Sequence, residues 1–237
     1  MNKKIIIQIP FNVQGFNKVN ELDEQWINYR LELFKEYTVK SLVNQTNQFF
    51  TVMLRVREET LEFIKKELKG KLPDNIYIVG ANYETLIYKC IENYNYLYLV
   101  RLDSDDCYDM EFIDMLHNYY TPKPDTEVLI NQHCYSYDIL QNRLAYYFYP
   151  SPPCYTLIYK TEDYKKGKRY YLKGGHGGAI LLKHEILSGI NFMSIIHEKN
   201  NSERKFGTYS LSKKMNWEEI KDKDNILKIL QRFGVNK

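Results

Sequence analysis

The run Arg101-Leu102-Asp103-Ser104-Asp105-Asp106 places three carboxylates within four residues, directly after an apolar stretch. Like charges that close repel unless a cation or an arginine shares the space. In an extended chain, residues two apart point the same way, so Asp103 and Asp105 are expected to face one site together. Hard carboxylate oxygens suit Mg²⁺ or Mn²⁺, which keep positions open for substrate phosphates. A metal so held can bind a diphosphate and stabilise its charge as it leaves. Asp106 is then expected beside the metal or the diphosphate, and Arg101 would neutralise the cluster or the diphosphate. In the plainer reading Asp105 or Asp106 caps the next helix and the rest is solvated. An EF-hand is excluded, because Cys107 and Tyr108 stand where that loop needs an oxygen ligand and a glycine.

A second constellation is Lys173 to Leu187, KGGHGGAILLKHEIL. Four glycines around His176 let backbone approach a ligand closely. The alternative is a tight turn with a solvent-facing histidine. It is not a Walker A loop, since no Gly-Lys-Ser/Thr follows at the needed spacing.

The elements that must position these residues form an α/β pattern in the first half. Lys4 to Ile9 is a β-branched run ended by Pro10, as a buried parallel strand requires. Asp23 to Gln45 has helical period, with Ile27, Leu31, Phe34, Thr38 and Leu42 on one stripe. Strands are predicted at Phe49 to Val56, Ile76 to Val79 and Tyr94 to Leu102, with helices at Glu58 to Lys69 and Tyr83 to Asn93. This order implies a mostly parallel sheet flanked by helices, with ligands beyond the carboxyl ends of its strands. The acidic turn lies at such an end. The second half is irregular: a helix at Tyr108 to Tyr120, strands over Glu127 to Tyr149 with a turn near Asp138 to Asn142, and a mobile loop at Thr161 to Lys168. Lys173 to Ala179 is expected to lead into a strand and then a helix near His184, and Glu218 to Phe233 to form a basic C-terminal helix.

The start Ile9-Pro10-Phe11-Asn12, the stretch from Phe11 to Phe50 (FNV…W-x-x-x-R-x-x-x-F…SLVNQTNQFF) and RLDSDD together resemble family 2 glycosyltransferases of the GT-A (Rossmann-like) fold. They are most similar to the branch of that superfamily named for rhamnosyl transfer. Thr156-Leu157-Ile158 and His197-Glu198-Lys199-Asn200 look like its downstream blocks, so the resemblance spans roughly residues 5 to 200. It implies an inverting, metal-dependent transfer of a sugar from a nucleotide-sugar donor to a carbohydrate or other hydroxyl acceptor. Pro10, Phe11 and Asn12 would cradle the nucleotide with Arg101, Asp103 and His176, and Asp103, Asp105 and His197 would hold the metal. An inverting transfer needs a base for the acceptor hydroxyl, and Glu198 falls where related enzymes place an acidic group. The branch carries Arg where this chain has Pro10, and an acidic residue near Arg55 and Arg57. Trp26 and Arg30, one helical turn apart, read as core packing and a structural ion pair. The competing readings are another metal-phosphate enzyme, such as a nucleotidyltransferase or phosphatase, and a non-catalytic carbohydrate-binding module.

At 237 residues the chain fits one domain, divided into a nucleotide-binding half (1–107), an acceptor-side half (108–215) and a C-terminal helix (216–237). The net charge of +3, with Lys and Glu interspersed, gives no sign of a nucleic-acid partner. Four cysteines without a C-x-x-C pair, and no signal peptide, fit reduced thiols in a cytoplasmic protein. No segment offers 18 uninterrupted apolar residues. Lys221, Lys223, Lys228 and Arg232 on the last helix suit either a solvated face or weak association with an anionic membrane surface.

Overall fold

The computed structural model describes residues 2–13, 20–119, 123, 125–200, 206 and 217–235. Strands β1 (Lys3–Pro10), β2 (Thr51–Arg55), β3 (Ile76–Val79) and β4 (Tyr96–Arg101) alternate with helices. These are α1 (Glu24–Leu33) with its continuation α2 (Lys40–Val43), then α3 (Leu61–Leu68) and α4 (Tyr83–Cys90). A short strand β5 (Cys107–Tyr108) and α5 (Phe112–Asn118) follow. Next come β6 (Val128–Ile130), β7 (His133–Asp138), β8 (Arg143–Phe148), β9 (Tyr155–Lys160) and α6 (Thr161–Lys165). The chain ends through β10 (His184–Ile186), β11 (Phe192–Ile196), β12 (Trp217–Ile220) and α7 (Lys223–Arg232).

A seven-stranded sheet has the order β10-β6-β9-β4-β1-β2-β3. Only β9 runs against its neighbours, so the sheet is mostly parallel. β1 lies inside the sheet between β4 and β2, and Ile5, Ile6, Ile7 and Ile9 are all fully buried, because both faces of that strand are covered. The second half supplies β6, β9 and β10 to this sheet and builds a five-stranded one, β12-β8-β7-β11-β5. The structure is therefore a mixed α/β protein with helices flanking a mostly parallel sheet.

The long first helix is capped where the sequence allows, with Asp23 accepting from the Trp26 backbone N–H at 2.8 Å. It runs through a π-helical stretch at Phe34–Val39 into α2, and the whole expected stripe from Ile27 to Leu42 is buried. Such an insertion re-aims side chains on either side of it. Trp26 is core, packed edge-on against Phe11 at 6.1 Å between ring centroids.

Four expectations for the second half are corrected. The segment expected as a mobile loop begins as α6, and Gly167 ends it with a positive φ of 95°. The predicted helix from Tyr108 starts at Phe112, because Cys107 and Tyr108 pair with β11; Tyr120 lies outside the described residues. The glycine-rich run forms a 3₁₀ segment (Gly175–Leu181) and then the strand β10, where a strand followed by a helix was expected. The C-terminal helix is shorter than expected, since Trp217–Ile220 pairs antiparallel with β8 and Asp222 caps α7. Arg232 of α7 binds Asp109 at 2.7 Å and Glu111 at 2.8 Å, tying that helix to the start of α5. No helix among the described residues is long and apolar enough to cross a membrane.

Two glycines of the Lys173–Leu187 run, Gly174 and Gly175, have φ of +78° and +81°. At Gly178 a Cβ would sit 2.4 Å from the Lys173 carbonyl oxygen and 2.7 Å from its nitrogen, whereas at Gly177 nothing lies within 4 Å. Gly178→Ala is therefore expected to lower stability by about 1–3 kcal/mol, as overpacking against backbone does. Gly177→Ala should move it by less than about 0.5 kcal/mol. Urea midpoints of the two variants check this.

Candidate donor site and its buried latch

Beyond Arg101 the chain leaves the strand and turns at Ser104 and Asp105, with Asp106 N–H donating to the Asp103 carbonyl at 3.2 Å. The turn breaks the two-residue alternation, so Asp103 and Asp105 have different surroundings. Asp103 is partly exposed and its Oδ1 pairs with Arg101 at 2.8 Å. Asp105 is buried, and its Oδ2 lies 2.6 Å from Arg30 Nη1 and 3.0 Å from His197 Nε2. The other arm of Arg30 donates to Ser104 Oγ at 2.6 Å. This buried latch joins α1, the acidic turn and the segment after β11.

Burial alone would push the Asp105 carboxyl up. The Arg30 charge and the hydrogen bonds from His197 and Arg30 outweigh it and hold Asp105 well below the usual carboxylate range. His197 has no exposed side-chain surface. Its Nδ1 receives the Lys199 backbone N–H at 3.3 Å and faces the Tyr29 hydroxyl at 3.1 Å, so its proton sits on Nε2, toward Asp105. Both ring nitrogens are thus engaged, and His197 holds Asp105 where a metal contact was expected. Asp106 is also turned inward, accepting the Ile195 backbone N–H at 3.0 Å, while its carbonyl accepts from Thr38 at 2.9 Å. It braces β11 against the turn, where a place beside the diphosphate was expected. Glu198, next to His197, is exposed, and after burial its charge is the main influence raising the Tyr29 hydroxyl pKa.

At the carboxyl ends of β4, β1 and β2 lies an open cavity of about 270 Å³. Gln8 and Pro10 form its floor, with Arg101 and Tyr155 on one side and Val13 and Arg55 on the other. Arg101 is largely buried; burial opposes its charge, but Asp103 raises its pKa, and its Nη1 also donates to the Pro153 carbonyl at 2.9 Å. Burial first of all raises the Tyr155 hydroxyl pKa, so it remains a neutral donor. Pro10 and Arg101 were expected here; Arg55 was noted only as a departure from the family pattern, and Tyr155 was not singled out. Phe11 packs into the core, and Asn12 is saturated by Glu21, Thr60 and the Arg57 N–H, so both shape the loop without reaching the cavity. His176 is exposed and does not line the cavity; its carbonyl accepts a 3.4 Å bond from Ser151.

Among the described residues no group of three or more His, Cys, Asp or Glu side chains could hold a metal ion. Mg²⁺ and Mn²⁺ commonly take one or two carboxylates and complete their shell with water and substrate phosphates. Asp103, partly exposed and paired with the cavity-lining Arg101, fits that sparse role; Asp105 and His197, occupied with each other, do not.

Removing Arg30 would leave Asp105 buried without its cation. Arg30→Ala should cost about 3–5 kcal/mol in urea denaturation. Asp105 is held low in the folded state, so its contribution is present above the ordinary aspartate pKa of about 3.9 and is lost as pH falls below it. The gap between wild type and variant should narrow there, and equal midpoints at neutral pH would refute the latch.

No protein-family model matches the chain, and no curated protein does. Among solved structures it is similar to S. aureus TarS 1–349 at 15% identity and a TM-score of 0.44, over 81% of this chain and 60% of that one. A longer TarS structure gives the same identity and score over 37% of its length. A provisionally assigned nucleotide-diphospho-sugar transferase from Desulfovibrio desulfuricans G20 gives 10% identity and a TM-score of 0.40, over 78% of this chain and 79% of that one. The chain thus spans less than two thirds of either TarS structure.

Proposed function

We propose that the chain is a glycosyltransferase of the GT-A type that moves a sugar from a nucleotide-sugar donor to a hydroxyl acceptor. The observation that carries this reading is the cavity at the carboxyl ends of β4, β1 and β2, with an arginine on either side, one of which, Arg101, pairs with the partly exposed Asp103. That is where an open α/β sheet binds ligands. The arginines suit an anionic donor, and Tyr155 offers a neutral hydroxyl to it.

The proposed metal is Mn²⁺ or Mg²⁺, shared between Asp103 and the donor, and it would supply positive charge for the departing diphosphate. Arg101 orients the diphosphate from the cavity wall. The latch keeps the acidic turn fixed relative to the segment carrying Glu198. In the proposed inverting transfer Glu198 takes the acceptor's hydroxyl proton as that oxygen bonds to the anomeric carbon. The bond from that carbon to the diphosphate breaks, and its electron pair leaves with the diphosphate. The hexosyl or deoxyhexosyl character of the sugar rests on the family resemblance alone.

A thermal-shift screen of nucleoside diphosphates and their sugars, with and without Mn²⁺, tests the assignment. A ligand at a hundred times its Kd should stabilise the protein by about 2.7 kcal/mol. That gain should require metal in the wild type and vanish in Asp103→Asn. Equal affinity with and without chelator would remove the metal from the reading, and attack at phosphorus, with no sugar transferred, would make the chain a different metal-phosphate enzyme. Glu198→Gln should lower turnover by about 10²–10⁴-fold while donor binding is unchanged; unaffected transfer would show that the base lies elsewhere.

A further inference from the structure

Arg55 ends β2, opposite Pro10 of β1 and Val79 of β3. Strand order puts β1 between β2 and β4, so Arg55 and Arg101 border the same cavity two strand spacings apart. At about 4.7–4.9 Å per spacing, and with Arg55 level with Pro10 but Arg101 level with Gln8, their backbones are roughly 12 Å apart, a span a nucleoside bridges. If the diphosphate lies beside Arg101 and Asp103, as proposed above, the base reaches Arg55.

The chemistry of Arg55, which is half-buried, differs from that of the other two arginines near the site. Arg30 and Arg101 each pair with an aspartate. Arg55 has no carboxylate partner among the described residues, and its Nε is buried with no hydrogen bond. What fixes it is Tyr83, whose ring centroid lies 3.8 Å from the guanidinium carbon. Stacking of this kind locks the guanidinium while leaving its N–H edge free. A guanidinium only donates, and two of its N–H groups in a fixed plane match two adjacent acceptors. Guanine presents such a pair, O6 and N7. Uracil sets its O4 acceptor beside the N3–H donor, which a donor-only group cannot satisfy.

We propose that Arg55, held against Tyr83, is a specificity-determining residue that selects guanine nucleoside diphosphate donors over uracil ones. The proposal rests on the donor-site reading above and assigns that site a substrate class.

The test is titration calorimetry of GDP, UDP, CDP and ADP with Mn²⁺ on wild type, Arg55→Gln and Arg55→Lys. Wild type should bind GDP about tenfold or more tighter than UDP, the scale of one bidentate base contact. Both variants should bring GDP to within about twofold of UDP, since neither amide nor ammonium reproduces the fork. The lysine variant, which keeps the charge and the apolar stem, covers the case in which Arg55→Gln fails to fold. A wild-type preference for uridine or cytidine nucleotides would overturn the proposal. So would weakening of all four ligands by one common factor, the signature of a phosphate contact. Wild type that binds none of the four overturns the donor-site reading itself, an outcome separate from binding without guanine preference.

Discussion

The architecture of the site depends on one buried charge pair, Arg30 with Asp105. Taking two charges out of water is costly, and the attraction between them offsets that cost only when geometry is good and the remaining donors and acceptors are used. Here the guanidinium reaches both Asp105 and Ser104, and His197 closes the carboxylate from the other side. The depressed pKa of Asp105 has the same cause. Segments far apart in sequence are thereby held together: the first helix, the turn after β4 and the stretch after β11. Asp106 and Thr38 add a second tie beside the first.

That arrangement separates two roles within one acidic run. A turn at Ser104 and Asp105 sends Asp105 into the interior and leaves Asp103 partly exposed beside Arg101. The interior carboxylate sets where the turn sits; the outer one keeps part of its surface open to solvent. Had the strand continued, period-two alternation would have put both on one side. The β4 ladder ends at Arg101, the Leu102 N–H makes a last bond to the Gln8 carbonyl of β1, and the next one, from Asp106 to Asp103, closes the turn, which is why an expectation based on extended geometry fails at this point.

The first half was legible because its signals are local. A β-branched run closed by a proline, a capped amphipathic stripe and strands alternating with helices need no knowledge of partners, and each element lies within a few residues of its expected place. Ion pairing by Arg30 and core packing by Trp26 followed from their helical spacing. In the second half the β7–β8 hairpin is local, but the other strands exist through pairing with distant segments. Trp217–Ile220 reads as part of a charged helix and becomes a strand because β8 offers it an edge. The same limit hid Tyr155, which meets the cavity only once β9 is seen to lie beside β4. Asn12 stood in a motif that suggested ligand contact, yet burial obliges its amide to satisfy its own loop.

The charges at the cavity bear on how a donor would sit in it. At one side Arg101 and Asp103 nearly cancel; at the other Arg55 is uncompensated by any described carboxylate. A nucleoside diphosphate carries its anionic charge at one end only. Placed with that end on Arg55, it would gain a cation but put its base against the Arg101–Asp103 pair and leave Asp103 with no phosphate-bound metal to share. In the opposite orientation the diphosphate would meet an ion pair of almost zero net charge, and Asp103 would hold the proposed divalent ion, whose positive charge would add to that of Arg101. The stacked Arg55 is then left with a neutral ring, for which hydrogen-bond pattern matters more than charge. Under the proposed function, dependence on metal and selectivity for the base follow from one asymmetry in where the chain has paired its arginines.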